Sequence, residues 1–77
     1  MTVIFSFTNK DILYSVICKN TDKFTKIENL LYDKYPECRD TQNFYTLNGQ
    51  KIDKYKNLEE NNIYNSAVIQ LNQMNNN

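Results

Sequence analysis

The chain has 77 residues, nine basic and nine acidic side chains, no histidine, one glycine, one proline and two cysteines. That length admits one domain with a thin core. The cancelled charge argues against a nucleic-acid or anionic-membrane partner, and no apolar run approaches the ~18 residues of a membrane span.

Thr2 to Thr8, TVIFSFT, alternates with period two. Val3, Phe5 and Phe7 share one face, and Ile4, Ser6 and Thr8 share the other, the pattern of a half-buried strand. Met1-Thr2-Val3 leads straight into that pattern, so no signal peptide is expected. Asn9-Lys10-Asp11 supplies turn residues before a second strand, Ile12 to Cys18, close enough to form a hairpin with the first. The second strand is apolar on both faces, which leaves its register open.

Phe24, Ile27, Leu31 and Tyr35 follow at i, i+3, i+7 and i+11, one face of a helix. Lys23, Lys26, Glu28 and Asp33 lie elsewhere on the wheel. Thr21 or Asp22 is the expected N-cap, and Pro36 stops the helix because it lacks an N–H and disfavours helical geometry in the residue before it. A helix of about 14 residues is marginal alone in water and must pack on the hairpin.

Glu37 to Gln42 reads as a polar connection, with Cys38 open to solvent exposure. Asn43 to Leu47 is a third strand. Asn48-Gly49 is a hairpin-turn pair, since both residues tolerate positive φ, and the lone glycine is expected to mark the one backbone site that needs it. Gln50 to Ile52 is a short fourth strand. Lys54 to Asn62 reads as a surface loop with one helical turn around Leu58-Glu59-Glu60. Ser66 to Asn72 is the last strand, with Ala67, Ile69 and Leu71 on one face. The order strand, strand, helix, strand, short strand, strand describes an α+β domain, residues 1–74, with one helix packed on a mixed sheet. Residues 75–77 form a polar asparagine tail. The frequent asparagine, lysine, isoleucine and tyrosine fit an A/T-rich coding sequence and carry no functional inference.

Chemistry is sparse. Without histidine no Ser/His or Cys/His constellation exists, and Glu59-Glu60 reads as a solvated turn rather than an acid/base pair. Cys18 and Cys38 lack a CxxC spacing, so no metal site is expected. They read as reduced, largely buried thiols of a cytosolic protein, although a disulfide stays open. Neither a cofactor nor a small-molecule substrate is expected, and enzyme activity is not. Lys51, Lys54 and Lys56 are offset by Asp53 and Glu59 and read as a solvated loop. Surfaces remain. If Tyr45 and Leu47 face inward, alternation turns Phe44 and Thr46 outward, and Ile4 faces outward on the first strand. Phe44 is the leading candidate anchor for a protein partner and Ile4 a weaker one.

The chain resembles the ubiquitin-like, β-grasp domains over Val3 to Asn72. The resemblance is carried by the opening hairpin, the Ile27/Leu31 helix face, Leu47-Asn48-Gly49, and Leu58 and Ile63 followed by Ala67-Val68-Ile69-Gln70-Leu71. It implies that Leu58 and Ile63 plug the core from the long loop. The diglycine on which conjugated members depend is missing from Asn72-Gln73-Met74-Asn75-Asn76-Asn77. Positions matching the apolar recognition patch of ubiquitin are polar: Thr8 or Asn9, Thr46, Gln70 and Asn72. The resemblance therefore implies a non-conjugating module that binds a protein partner through its sheet face, in a cytoplasmic or nuclear setting. A permanent subunit of a larger assembly, or a modifier trimmed from a longer precursor, are the alternatives.

Overall fold

The computed structural model describes residues 1–74; the expected tail at 75–77 lies outside them. Five strands and one helix follow one another as β1 (Thr2–Phe7), β2 (Leu13–Ile17), α1 (Phe24–Lys34), β3 (Gln42–Leu47), β4 (Gln50–Lys51) and β5 (Ala67–Met74). They build an α+β domain in which α1 packs on a mixed sheet of order β2-β1-β5-β3-β4. β1 and β5 run parallel at the centre, and every other pairing is antiparallel.

The alternation of β1 is realised: Val3, Phe5 and Phe7 are buried, and the residues between them are half-buried on the outer face. Beneath the helix they meet Phe24, Ile27 and Leu31 from α1, Tyr45 from β3, and Ile69 and Leu71 from β5, all buried. Phe5, Phe24 and Tyr45 pack as tilted and edge-on rings with centroids 4.8 to 6.0 Å apart, the arrangement favoured by the aromatic quadrupole. The register of β2, left open by its two apolar faces, is settled by pairing: Val16 lies opposite Val3 and Tyr14 opposite Phe5. Tyr14 and Val16 thus face the core, while Leu13, Ser15 and Ile17 face away.

The helix is shorter than expected, 11 residues, and neither Thr21 nor Asp22 caps it. Lys23 takes the N-cap position without a side-chain bond. The free N–H groups of the first turn, which any helix must satisfy, go to the long loop instead: Phe24 N–H donates to the Lys56 carbonyl at 3.0 Å and Thr25 N–H to that of Lys54 at 3.2 Å. The Asp22 carboxylate accepts from Lys19 N–H at 2.9 Å, and this bond holds its carboxyl below the ordinary value.

Glu28, expected off the apolar face, is buried. Its carboxylate accepts a bond from Tyr32 Oη at 3.1 Å and has Lys54 Nζ 3.8 Å away. Burying a carboxylate is tolerable because both oxygens have partners. Cys38 is buried, in keeping with the reading of both cysteines as largely buried, and the exposure left open for it does not occur. After Pro36 the chain makes a 3₁₀ turn, Pro36–Asp40, rather than an open connection. Asn43 Nδ2 donates to the Cys38 carbonyl at 2.7 Å and to Tyr32 Oη at 3.0 Å, tying that turn to β3 and α1. Both cysteines are free thiols, pushed above the ordinary range by burial.

Asn48 and Gly49 have φ of 52° and 81° and form the tight β3–β4 turn. Gly49 does not mark the one site of positive φ, however: besides Asn48, Asn62 and Ser66 also adopt it, at 58° and 68°. The loop before β5 is held at both its apolar residues, since Leu58 and Ile63 are fully buried. Its turn is closed by a reciprocal capping box: Glu60 N–H donates to Asn57 Oδ1 at 2.7 Å, and Asn57 N–H to Glu60 Oε1 at 3.1 Å. Leu58 N–H and Glu59 N–H then donate to the carbonyls of Asp22 and Asn20, both at 3.0 Å, fastening the loop to the approach to α1.

Candidate interaction surface

A single helix covers one face of the sheet, so the other face is formed by whichever side chains alternate away from α1. Phe44 and Thr46 on β3 are opposite Asn72 and Gln70 on β5. Gln70 is in turn beside Ser6, and Ile4 is beside Val68. All five side chains singled out from the sequence, Ile4, Phe44, Thr46, Gln70 and Asn72, therefore share the outer face. They form two neighbouring groups, with Ile4 on β1 separated from the β3–β5 group.

The β3–β5 group is a polar strip bridged by side-chain hydrogen bonds. Thr46 Oγ1 donates to Gln70 Oε1 at 3.2 Å, and Asn72 Nδ2 donates to Thr46 Oγ1 at 3.3 Å. Phe44 is half-buried at one end of this strip, and Lys51 Nζ stands 6.0 Å from its ring centroid. Phe44 and Lys51 also border an open groove of about 440 Å³, completed by Ile52 and Tyr55. It exists because β4 is only two residues long and leaves the first half of β3 without a neighbour on that side.

Alternation carries further than the five residues expected. Val68 is 47 % exposed beside Ile4, and Leu13 and Ile17 on β2 are 71 % and 85 % exposed. Val68 was available to the same argument that placed Ile69 and Leu71 inward. Leu13 and Ile17 were hidden by the apolar character of both faces of β2, which was itself the sign that one set had to face outward. The surface is thus an apolar group around Ile4, Val68, Leu13 and Ile17, a polar strip, and Phe44 beyond it.

Elsewhere the side chains serve the fold. Arg39 donates to Asp33 at 3.0 Å and stands over the Tyr32 ring. Of the Lys51, Lys54 and Lys56 group, Lys54 is drawn to Glu28. Among the described residues, no group of three or more Cys, Asp and Glu side chains is placed to hold a metal ion, and no helix is long and apolar enough to cross a membrane. No family model matches the chain, and no curated protein matches it.

Proposed function

We propose that this chain is a β-grasp domain of ubiquitin-like type that binds a protein partner through the outer face of its sheet. The observation that carries the reading is the uncovered face itself. Apolar side chains at Ile4, Val68 and Phe44 flank a polar strip in which Gln70 stays exposed, so a partner gains apolar burial at either end and hydrogen-bonds the side-chain amides between them. The element order, the helix across a mixed sheet and the two loop plugs support the family assignment. The domain acts as a recognition surface, without enzymatic chemistry and without a cofactor.

The partner this face fits is a protein surface offering apolar side chains at both ends of a hydrogen-bonding centre. Phe44→Ala and Val68→Asp are expected to weaken capture of the partner from native extract by roughly tenfold or more, as loss of a central anchor does, while the melting temperature stays near wild type. Capture unchanged by both substitutions would remove the sheet face from consideration. Size-exclusion of the same extract separates two roles for the surface: a free pool marks a transient adaptor, and elution only with one large complex marks a permanent subunit.

A further inference from the structure

The two edges of the sheet are guarded very differently. β4 is a two-residue strand of Gln50 and Lys51, short and charged, the usual protection against edge-to-edge pairing. β2 is a five-residue edge strand, LYSVI, with no charge and no proline. The bonds at its ends fix which backbone groups are free. Met1 and Cys18 exchange both backbone bonds, at 2.8 and 2.9 Å, and Phe7 N–H donates to the Ile12 carbonyl at 3.1 Å. In an antiparallel ladder such bonding alternates residue by residue. Val16 and Tyr14 therefore bond to β1, and the N–H and C=O groups of Leu13, Ser15 and Ile17 point out of the sheet. The side chains of the same three residues lie on the outer face, with Leu13 and Ile17 among the most exposed apolar groups of the described chain.

This edge matches itself. Set two copies of β2 antiparallel about Ser15: Ser15 meets Ser15 and Leu13 meets Ile17. One step outward, Asp11 meets Lys19. Both of those side chains are exposed, and neither is paired within the described chain. The two-fold arrangement thus closes the backbone ladder, pairs the apolar side chains across the seam and places an ion pair at each end. A net charge of zero removes long-range repulsion between copies. We propose that the β2 edge is a self-association site, joining two copies of this chain through an antiparallel β2–β2 seam into one continuous sheet. A two-strand seam is smaller than a standard interface of ~1,600 Å², so the dimer is expected to be weak and to form only as concentration rises. The proposal concerns the strand edge and stands independently of the partner assigned to the sheet face.

Sedimentation of the purified chain from roughly 10 µM to 1 mM should show a concentration-dependent monomer–dimer equilibrium, as a small interface gives. Ser15→Pro removes an N–H that β1 does not use, so it should abolish the dimer and leave the fold's circular dichroism intact. Lys19→Glu sets like charges opposite each other at both ends and should weaken association by roughly tenfold at low salt, and Asp11→Lys added to it should restore wild-type association. If Ser15→Pro perturbs the fold, the charge pair decides alone. A wild-type chain still monomeric at the top concentration overturns the proposal, as does a dimer that Lys19→Glu leaves untouched.

Discussion

Asn48, Asn62 and Ser66 occupy the same left-handed region as Gly49, where a side chain ordinarily costs roughly 1–2 kcal/mol. Asparagine eases that cost by bonding locally, but serine does so less well, and Ser66 is further constrained because its N–H donates to the Thr2 carbonyl at 2.7 Å. Ser66→Gly keeps that bond and relieves the strain. Set against glycine's greater freedom when unfolded, it is expected to stabilise by about 0.5 kcal/mol. Gly49→Ala should destabilise by about 1 kcal/mol from backbone strain alone, since nothing lies within 4 Å of the added methyl. Urea unfolding of the two variants tests the opposite signs. Tyr45 gives a second handle. Burial pushes its phenol far above the ordinary value of 10.0. A raised folded value means that the stability it confers is intact below pH 10.0 and drains away above it, because only the unfolded chain ionises there. The loss is about 1.4 kcal/mol per pH unit. Tyr45→Phe has no phenol to ionise, so its alkaline unfolding midpoint should lie at higher pH than that of wild type, read by circular dichroism at constant ionic strength.

At the scale of elements, the loop between β4 and β5 depends on Leu58 and Ile63. Both are fully buried, so Leu58→Ala and Ile63→Ala are each expected to destabilise by roughly 2–5 kcal/mol, a large share of what a domain this small possesses. Denaturant midpoints check this, and a cost under about 1 kcal/mol would show that the loop holds itself without its plugs. The plugs were expected from the resemblance to ubiquitin-like domains, not from a local pattern. The period of β1 and the i, i+3, i+7 face of α1 were legible because burial on one side writes itself into spacing. What escaped was decided by partners distant in the chain. The start of α1 is set by carbonyls of Lys54 and Lys56, not by a local cap. Glu28 is buried because Tyr32 and Lys54 reach it, and residues 36–40 close into a 3₁₀ turn because Asn43 bonds the Cys38 carbonyl. The outer face was legible in part: alternation turned Ile4, Phe44 and Thr46 outward, the resemblance to ubiquitin-like domains pointed to Gln70 and Asn72, and Leu13 and Ile17 were missed because an edge strand apolar on both sides does not state which side faces in.

For the whole molecule, the decisive contact is β1 against β5, which joins opposite ends of the described chain at the centre of the sheet. β5 also pairs with β3. No stable subset of the sheet survives without it, and a fragment of residues 1–64 is expected to remain unfolded, with narrow amide proton dispersion; a cooperative thermal transition in that fragment would contradict this. Folding must wait for that long-range closure, which places its rate between those of helical bundles and all-β barrels. The parallel sense of the pair has a mechanical result. Thr2 of β1 and Met74 of β5 lie at opposite ends of the sheet, so tension between them slides β1 along β5 and loads every bond of that ladder together instead of peeling them one at a time. A tether pulled through this domain would meet a stiff, brittle link, whereas traction applied across the β1–β2 hairpin would unzip it at low force.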